Sequence, residues 1–138
     1  PYTRKAPYHY GWDWGPCLVT SGIWKNIELI GWDSWSVENL FINQIEVNKN
    51  IAKLELEAHI ISDSKQEGLI ILSEPKSSLY KQEAIKLSRG TNSIKFDFDI
   101  LRPNLWHPIG YGEQHLYSFD IVVNANGLEN KIYKQIRD

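Results

Sequence analysis

A chain of 138 residues with a net charge of −2, 42% apolar and 12% aromatic, can enclose one domain with a real core, or one domain plus a fragment. It has no basic excess to offer a phosphate backbone, and no apolar run approaches the roughly 20 residues of a membrane-spanning helix, so neither nucleic acid nor membrane is an expected partner. The single cysteine, Cys17, excludes an internal disulfide and a thiolate metal cluster.

The chain opens Pro1-Tyr2-Thr3, contains no methionine and shows no signal-peptide pattern, which fits a piece of a longer protein. The lack of an Asn-x-Ser/Thr sequon favours a bacterial periplasm or cytoplasm over a glycosylated luminal compartment. Residues 1–8 are polar and basic, with Arg4 and Lys5 read as solvated charges. Then comes His9-Tyr10-Gly11-Trp12-Asp13-Trp14-Gly15-Pro16, whose glycines and proline rule out a regular helix and whose apolar positions do not alternate as in a strand. An ordered loop turning at its glycines is expected. Two readings of it stand. A carboxylate between two indoles is the composition of a sugar site: flat apolar rings cover the C–H face of a pyranose, and the charged acceptor takes hydrogen bonds from its hydroxyls. The same composition suits a tryptophan-rich plug at the end of a sandwich, with Asp13 capping a turn. Cys17, next to Pro16, reads as a buried small apolar residue rather than a nucleophile.

Leu18-Val19-Thr20 predicts a short strand broken at Ser21-Gly22, and Ile23 to Trp32 a second, with imperfect alternation because Trp24 and Ile30 fall on the other face. Asp33-Ser34 breaks the pattern and a domain boundary is expected near Trp35. Antiparallel β follows. Val37–Val47 predicts a strand bent near Asn43-Gln44. Ile51–Ser62 alternates cleanly, with Ala52, Leu54, Leu56, Ala58 and Ile60 on one face and Lys53, Glu55, Glu57 and His59 on the other. Gly68–Ser73 reads as a short central strand and Tyr80–Leu87, rich in charge, as an edge strand. Arg89-Gly90-Thr91-Asn92 is a turn signal. Ile94, Phe96, Phe98 and Ile100 alternate with Lys95, Asp97 and Asp99. Tyr117, Phe119, Ile121 and Val123 repeat the pattern before Asn124-Ala125-Asn126-Gly127 turns the chain into Lys131–Ile136. Short strands with turns every ten or twelve residues predict an all-β chain: an immunoglobulin-like antiparallel β-sandwich over residues 36–138, preceded by a short β/loop segment over residues 1–35. The Cys…Trp…Cys signature of antibody domains is absent, so the likeness is one of architecture.

Candidate chemistry in the sandwich is thin. Asp97 and Asp99 share a strand face, as do Glu55 and Glu57, but each pair alternates with apolar residues and is expected to point at water. A catalytic carboxyl pair needs a walled pocket that an open strand face lacks. His59, His107 and His115 are scattered over polar positions without the convergent spacing of metal ligands, and Gly110-Tyr111-Gly112 is a loop device lacking the strand–glycine–helix context of a phosphate site. No metal and no cofactor is expected.

Two stretches carry a resemblance. His9 to Trp24, HYGWDWGPCLVTSGIW, resembles the segment that closes the N-terminal domain of β-mannosidases in glycoside hydrolase family 2, and residues 103–117, PNLWHPIGYGEQHLY, are similar to the segment before the last strands of the second domain of those enzymes. The resemblance implies that residues 1–35 are the C-terminal remnant of a jelly-roll sandwich carrying the Gly-Trp-Asp-Trp-Gly loop, and that the parent enzyme hydrolyses terminal β-linked mannose with retention. Retaining hydrolysis uses two carboxyl groups about 5–5.5 Å apart. In the family both are glutamates on a barrel that follows the sandwich, so no catalytic residue is expected on this chain and the fragment alone is expected to be inactive. By the same resemblance Asp13 binds substrate hydroxyls, and Trp12 and Trp14 shape the pocket rim. Position 17, where the family pattern has a basic residue, is Cys17. The implied partners are a mannoside or mannose-containing oligosaccharide and the catalytic barrel and jelly-roll domain of the same chain. A free-standing carbohydrate-binding module and an immunoglobulin-like interaction domain are the competing readings.

Overall fold

The computed structural model describes residues 4–137, with side chains up to residue 129. The chain divides into two units, the first ending at Gly31 and the second beginning at Trp32.

The second unit is a two-sheet sandwich. Its strands are β1 (Trp35–Val47), β2 (Ile51–Ser62), β3 (Gln66–Ser73), β4 (Tyr80–Leu87), β5 (Gly90–Leu101), β6 (Leu116–Ala125) and β7 (Leu128–Arg137). One sheet has the order β1-β2-β5 and the other β4-β3-β6-β7, all pairs antiparallel. The chain therefore crosses between sheets after β2, β4 and β5, as immunoglobulin-like sandwiches do. The expected immunoglobulin-like architecture is what forms, with β3 central and β4 at an edge as their apolar and charged sequences predict.

The period-two pattern dictates the core. Leu54, Leu56, Ala58 and Ile60 of β2 face inward with Phe96 and Phe98 of β5, and meet Ile70 and Leu72 of β3 and Phe119, Ile121 and Val123 of β6. Across the sheets the rings of Phe98 and Phe119 meet edge-on at 5.5 Å, the arrangement that aromatic quadrupoles favour. Gly68 on β3 lies so close to the backbone of Asn124 and Ala125 that a side chain has no room, which lets β3 and β6 approach at that point. The β6–β7 hairpin closes through Asn126 (φ 51°) and Gly127 (φ 75°), the left-handed pair that matches strand twist in a two-residue turn. The bend expected near Asn43-Gln44 coincides with a register shift between Gln44 and Glu46, where β1 holds one residue more than β2.

Trp35 anchors the start of the sandwich. It is 5% exposed, and its indole N–H donates to the carbonyl of Ala125 at 3.0 Å. The Ser34 carbonyl beside it accepts from the Asp63 amide (3.0 Å) and from the Gln66 side-chain amide (3.2 Å), which closes the connection from β2 to β3.

The first unit corrects one expectation. Leu18–Thr20 and Ile23–Trp32 form no strand; between residues 17 and 34 no residue is in a strand. The apolar positions that suggested one are open to solvent, Leu29 at 101% and Ile23 at 78% exposure. A strand's amides and carbonyls need a neighbouring strand, and among the described residues none pairs with this segment. The alternation is written in the sequence, but the partner it calls for is not among these residues.

Candidate functional site

The aromatic loop is built from two turns in series. Ala6 is extended (φ −63°, ψ 139°), and Pro7, whose fixed φ suits a helix start, opens a single 3-10 turn over Pro7–Tyr10. The His9 amide donates to the Ala6 carbonyl at 3.1 Å and the Gly11 amide to that of Tyr8 at 3.3 Å. A tight turn follows at once: Trp12 and Gly15 bridge, with the Gly15 amide donating to the Trp12 carbonyl at 3.2 Å. Asp13 and Trp14 occupy the two central positions of that turn, the tip, while Trp12 and Gly15 form its base.

Each predicted residue has a distinct place. Asp13 is exposed at the tip, and among the described residues no group donates to its carboxylate. Trp12 (59% exposed) and Trp14 (85%) meet edge to face, ring centres 6.3 Å apart at 85°. Asp13 thus lies between the two indoles in the chain, while the rings themselves meet each other at nearly a right angle. The rings of Tyr8 and His9 stack at 4.9 Å and 27°. Cys17 is not buried as expected but exposed, with its thiol 3.8 Å from the His9 carbonyl.

Beside the turn lies an open groove of about 390 Å³ lined by Tyr8, Trp12, Gly15 and Pro16. Only one of the three sequence-predicted residues, Trp12, lines it. The sequence does not show that Tyr8 and Pro16 join Trp12 there, because nothing in it dictates the 3-10 turn at Pro7–Tyr10. A second concavity of about 380 Å³ is lined by Lys5, His9, Thr20, Ser21, Gly22, Ile23 and Trp24 and is more polar.

The carboxylates of the sandwich are otherwise engaged. Asp97 and Asp99 are exposed, as expected. Glu55 and Glu57 are less so: on the outer face of the β1-β2-β5 sheet, Lys95 Nζ sits 3.3 Å from Glu55 and 3.0 Å from Glu57, and Asn43 donates to Glu55 at 3.1 Å. His59 Nε2 is 2.9 Å from Glu57, whose side chain is 19% exposed. The hydrogen bond to His59, followed by that to Lys95, holds the Glu57 carboxyl down at about 2. A carboxyl so firmly ionised is unsuited to proton donation near neutral pH. Among the described residues no three His, Cys, Asp or Glu side chains converge as metal ligands. His107 donates its amide to the Glu113 carbonyl (2.8 Å) and His115 packs edge-on against Tyr117 (4.6 Å).

Comparison with known proteins gives the family. A family model described as glycosyl hydrolases family 2 matches residues 36–136, and one described as the glycosyl hydrolase 2 galactose-binding domain-like matches residues 1–25. The chain belongs to glycosyl hydrolase family 2. Among its family 2 relatives, beta-mannosidase B of Aspergillus niger is 34% identical over 139 residues, covering 96% of this chain and 16% of the relative. Beta-mannosidase B of Aspergillus terreus is 32% identical over 129 residues, covering 90% of this chain and 14% of the relative. The crystal structure of a beta-D-mannosidase from Dictyoglomus thermophilum superposes with a TM-score of 0.74 at 32% identity, over 93% of this chain and 17% of that one. An exo-chitosanase from Amycolatopsis orientalis, at 18% identity and a TM-score of 0.66 over 75% of this chain and 13% of its own, shares the fold. The family 2 chain thus spans about one seventh of the length of the curated relatives it matches.

Proposed function

We propose that this chain is a non-catalytic portion of a retaining β-mannosidase that removes terminal β-linked mannose from oligosaccharides. In this reading residues 1–35 are the end of a jelly-roll sandwich and residues 36–138 the immunoglobulin-like domain that follows it. The separate family matches to residues 1–25 and 36–136 support the division, and the mannosidases among the relatives support the substrate class. The partners are a carbohydrate and, within the same polypeptide, the rest of the jelly roll and a catalytic barrel.

Asp13 is the substrate-binding residue of this portion, and Trp12 and Trp14 shape the rim. One observation carries the assignment: Asp13 stands at the exposed tip of a tight turn, between two indoles, with no donor to its carboxylate among the described residues. A carboxylate that merely capped its own turn would accept from a nearby backbone amide. An unspent acceptor flanked by rings suits a sugar, whose hydroxyls donate while its C–H face packs on an aromatic plane. Such contacts away from the scissile bond hold the sugar and help its distortion toward the transition state.

The test is Asp13→Ala in the full-length parent protein. Charged hydrogen bonds contribute about 1.5–3 kcal/mol each, so losing two lowers kcat/KM on a β-mannoside by about 10²–10⁴-fold with the fold intact. Near-normal kcat/KM in that variant refutes the binding role.

A further inference from the structure

The groove beside the turn is not explained by a role for Asp13. The Trp12–Gly15 turn sends Asp13 and Trp14 out at its tip, whereas the groove lies at its base and is lined by Tyr8, Trp12, Gly15 and Pro16. Both of its ring walls are braced. Tyr8 is carried on the 3-10 turn with His9 stacked on its ring, and Trp12 is held by the bridge to Gly15 with Trp14 against it edge-on. The third wall, Pro16, is a rigid ring. A groove of about 390 Å³ is of the size that takes a small ligand. Its walls are apolar, and two of the lining residues carry a donor, the Tyr8 hydroxyl and the Trp12 indole N–H, neither of which is spent on another of the described residues. A pyranose fits both features, because one face is a plane of C–H bonds and its edge is a row of hydroxyls.

We propose that the Tyr8–Trp12–Pro16 groove receives the second sugar of the substrate, the ring that follows the terminal mannose held by Asp13. The inference rests on the Asp13 reading given above. Trp12 is the hinge of the arrangement, since it is Asp13's chain neighbour and also a wall of the groove. The carboxylate at the tip takes hydroxyls of one ring, and the aromatic walls at the base take the apolar face of the next. Tyr8 then helps decide whether an oligosaccharide is preferred over a simple mannoside.

The experiment compares two substrates in the full-length parent protein: β-1,4-mannobiose, whose leaving group is a sugar, and β-mannosyl fluoride, whose leaving group is a single atom. Tyr8→Leu keeps apolar bulk and removes the flat ring and the hydroxyl. The expected result is a roughly tenfold fall in the ratio of kcat/KM on mannobiose to kcat/KM on the fluoride, carried by KM, with Tyr8→Phe restoring most of it. An unchanged ratio overturns the proposal, and so does an equal loss on both substrates, which would make Tyr8 a support for the fold or for the terminal mannose. Asp13→Ala separates the two claims, because it should depress both substrates together. If it leaves both intact while Tyr8→Leu still changes the ratio, the terminal-mannose reading fails and the groove stands as a sugar site of its own.

Discussion

Two stretches of this chain alternate apolar and polar residues, and they end in opposite states. Ile51–Ser62 is a strand whose alternate side chains are fully enclosed; Ile23–Trp32 is no strand, and its apolar side chains face solvent. Composition does not separate them. Position in a sheet does: β2 has β1 on one side and β5 on the other, so each amide and carbonyl has a partner and one face has a second sheet beneath it. The tryptophans repeat the contrast. Trp35 is enclosed and spends its N–H on Ala125, whereas Trp24 lies open with the Lys25 ammonium 4.9 Å from its ring centre. Alternation specifies a strand only where something supplies its neighbours.

Amide hydrogen exchange tests this contrast most sharply. In the 138-residue chain, Ile51–Ser62 and Ser93–Ile100 are expected to exchange at least about 10³-fold more slowly, relative to unstructured rates, than residues 4–34. Equal protection in a monomer would mean that the whole chain is one cooperative unit. Side-chain truncation comes next. Phe119→Ala, at the centre of the core, should cost about 3–5 kcal/mol in urea unfolding, and Trp24→Ala less than about 0.5 kcal/mol. A comparable cost at Trp24 would reveal a core in the first unit that the described contacts do not contain.

Backbone substitutions give a smaller version of the same test. Gly68→Ala pushes a methyl group into the Asn124–Ala125 backbone and should destabilise by about 1–3 kcal/mol, whereas Gly31 has nothing within 4 Å of an added Cβ. Gly31→Ala is expected to be neutral or to stabilise by up to about 1 kcal/mol through the unfolded chain. Equal thermal midpoints for the two variants would break the distinction. The smallest effect is one of pH and belongs to the sandwich. Glu57 ionises more readily when folded, down from an ordinary 4.5 to about 2, so its contribution is complete above about 4.5 and is lost as pH falls toward 2. Glu57→Gln should flatten that part of the melting-temperature profile against pH and leave the profile near neutrality unchanged in slope. A variant profile as steep as the parent's between those values would show that the His59–Glu57–Lys95 contacts do not stabilise the fold.

Much of the sandwich was legible from residues alone. Alternation in Ile51–Ser62 and Ser93–Ile100 named the inward faces, the apolar run LIIL marked a central strand, and the charge on Tyr80–Leu87 marked an edge. Asn126-Gly127 gave its hairpin because few residue pairs adopt two left-handed conformations. Each of these signals is local and meets a partner that the chain itself provides. The strands expected at Leu18–Thr20 and Ile23–Trp32 were equally local signals without that partner. At the candidate site, composition pointed to Asp13, Trp12 and Trp14 but could not show that the turn sends them to different places. The meeting of Tyr8 and Pro16 with Trp12 is not written in composition, because it arises from a 3-10 turn that the prolines and glycines permit but do not dictate.

The sequence by itself determined the strand faces, the hairpin turns and an aromatic loop with one carboxylate, since period, turn chemistry and composition act within a few residues. Tertiary structure decided which alternating segments became strands and which side of the loop became a groove. It also turned Glu55 and Glu57 from solvated charges into a tied network with Lys95 and His59. Those outcomes depend on what lies across a sheet or a turn, and a pairing energy exists only once both partners are in place.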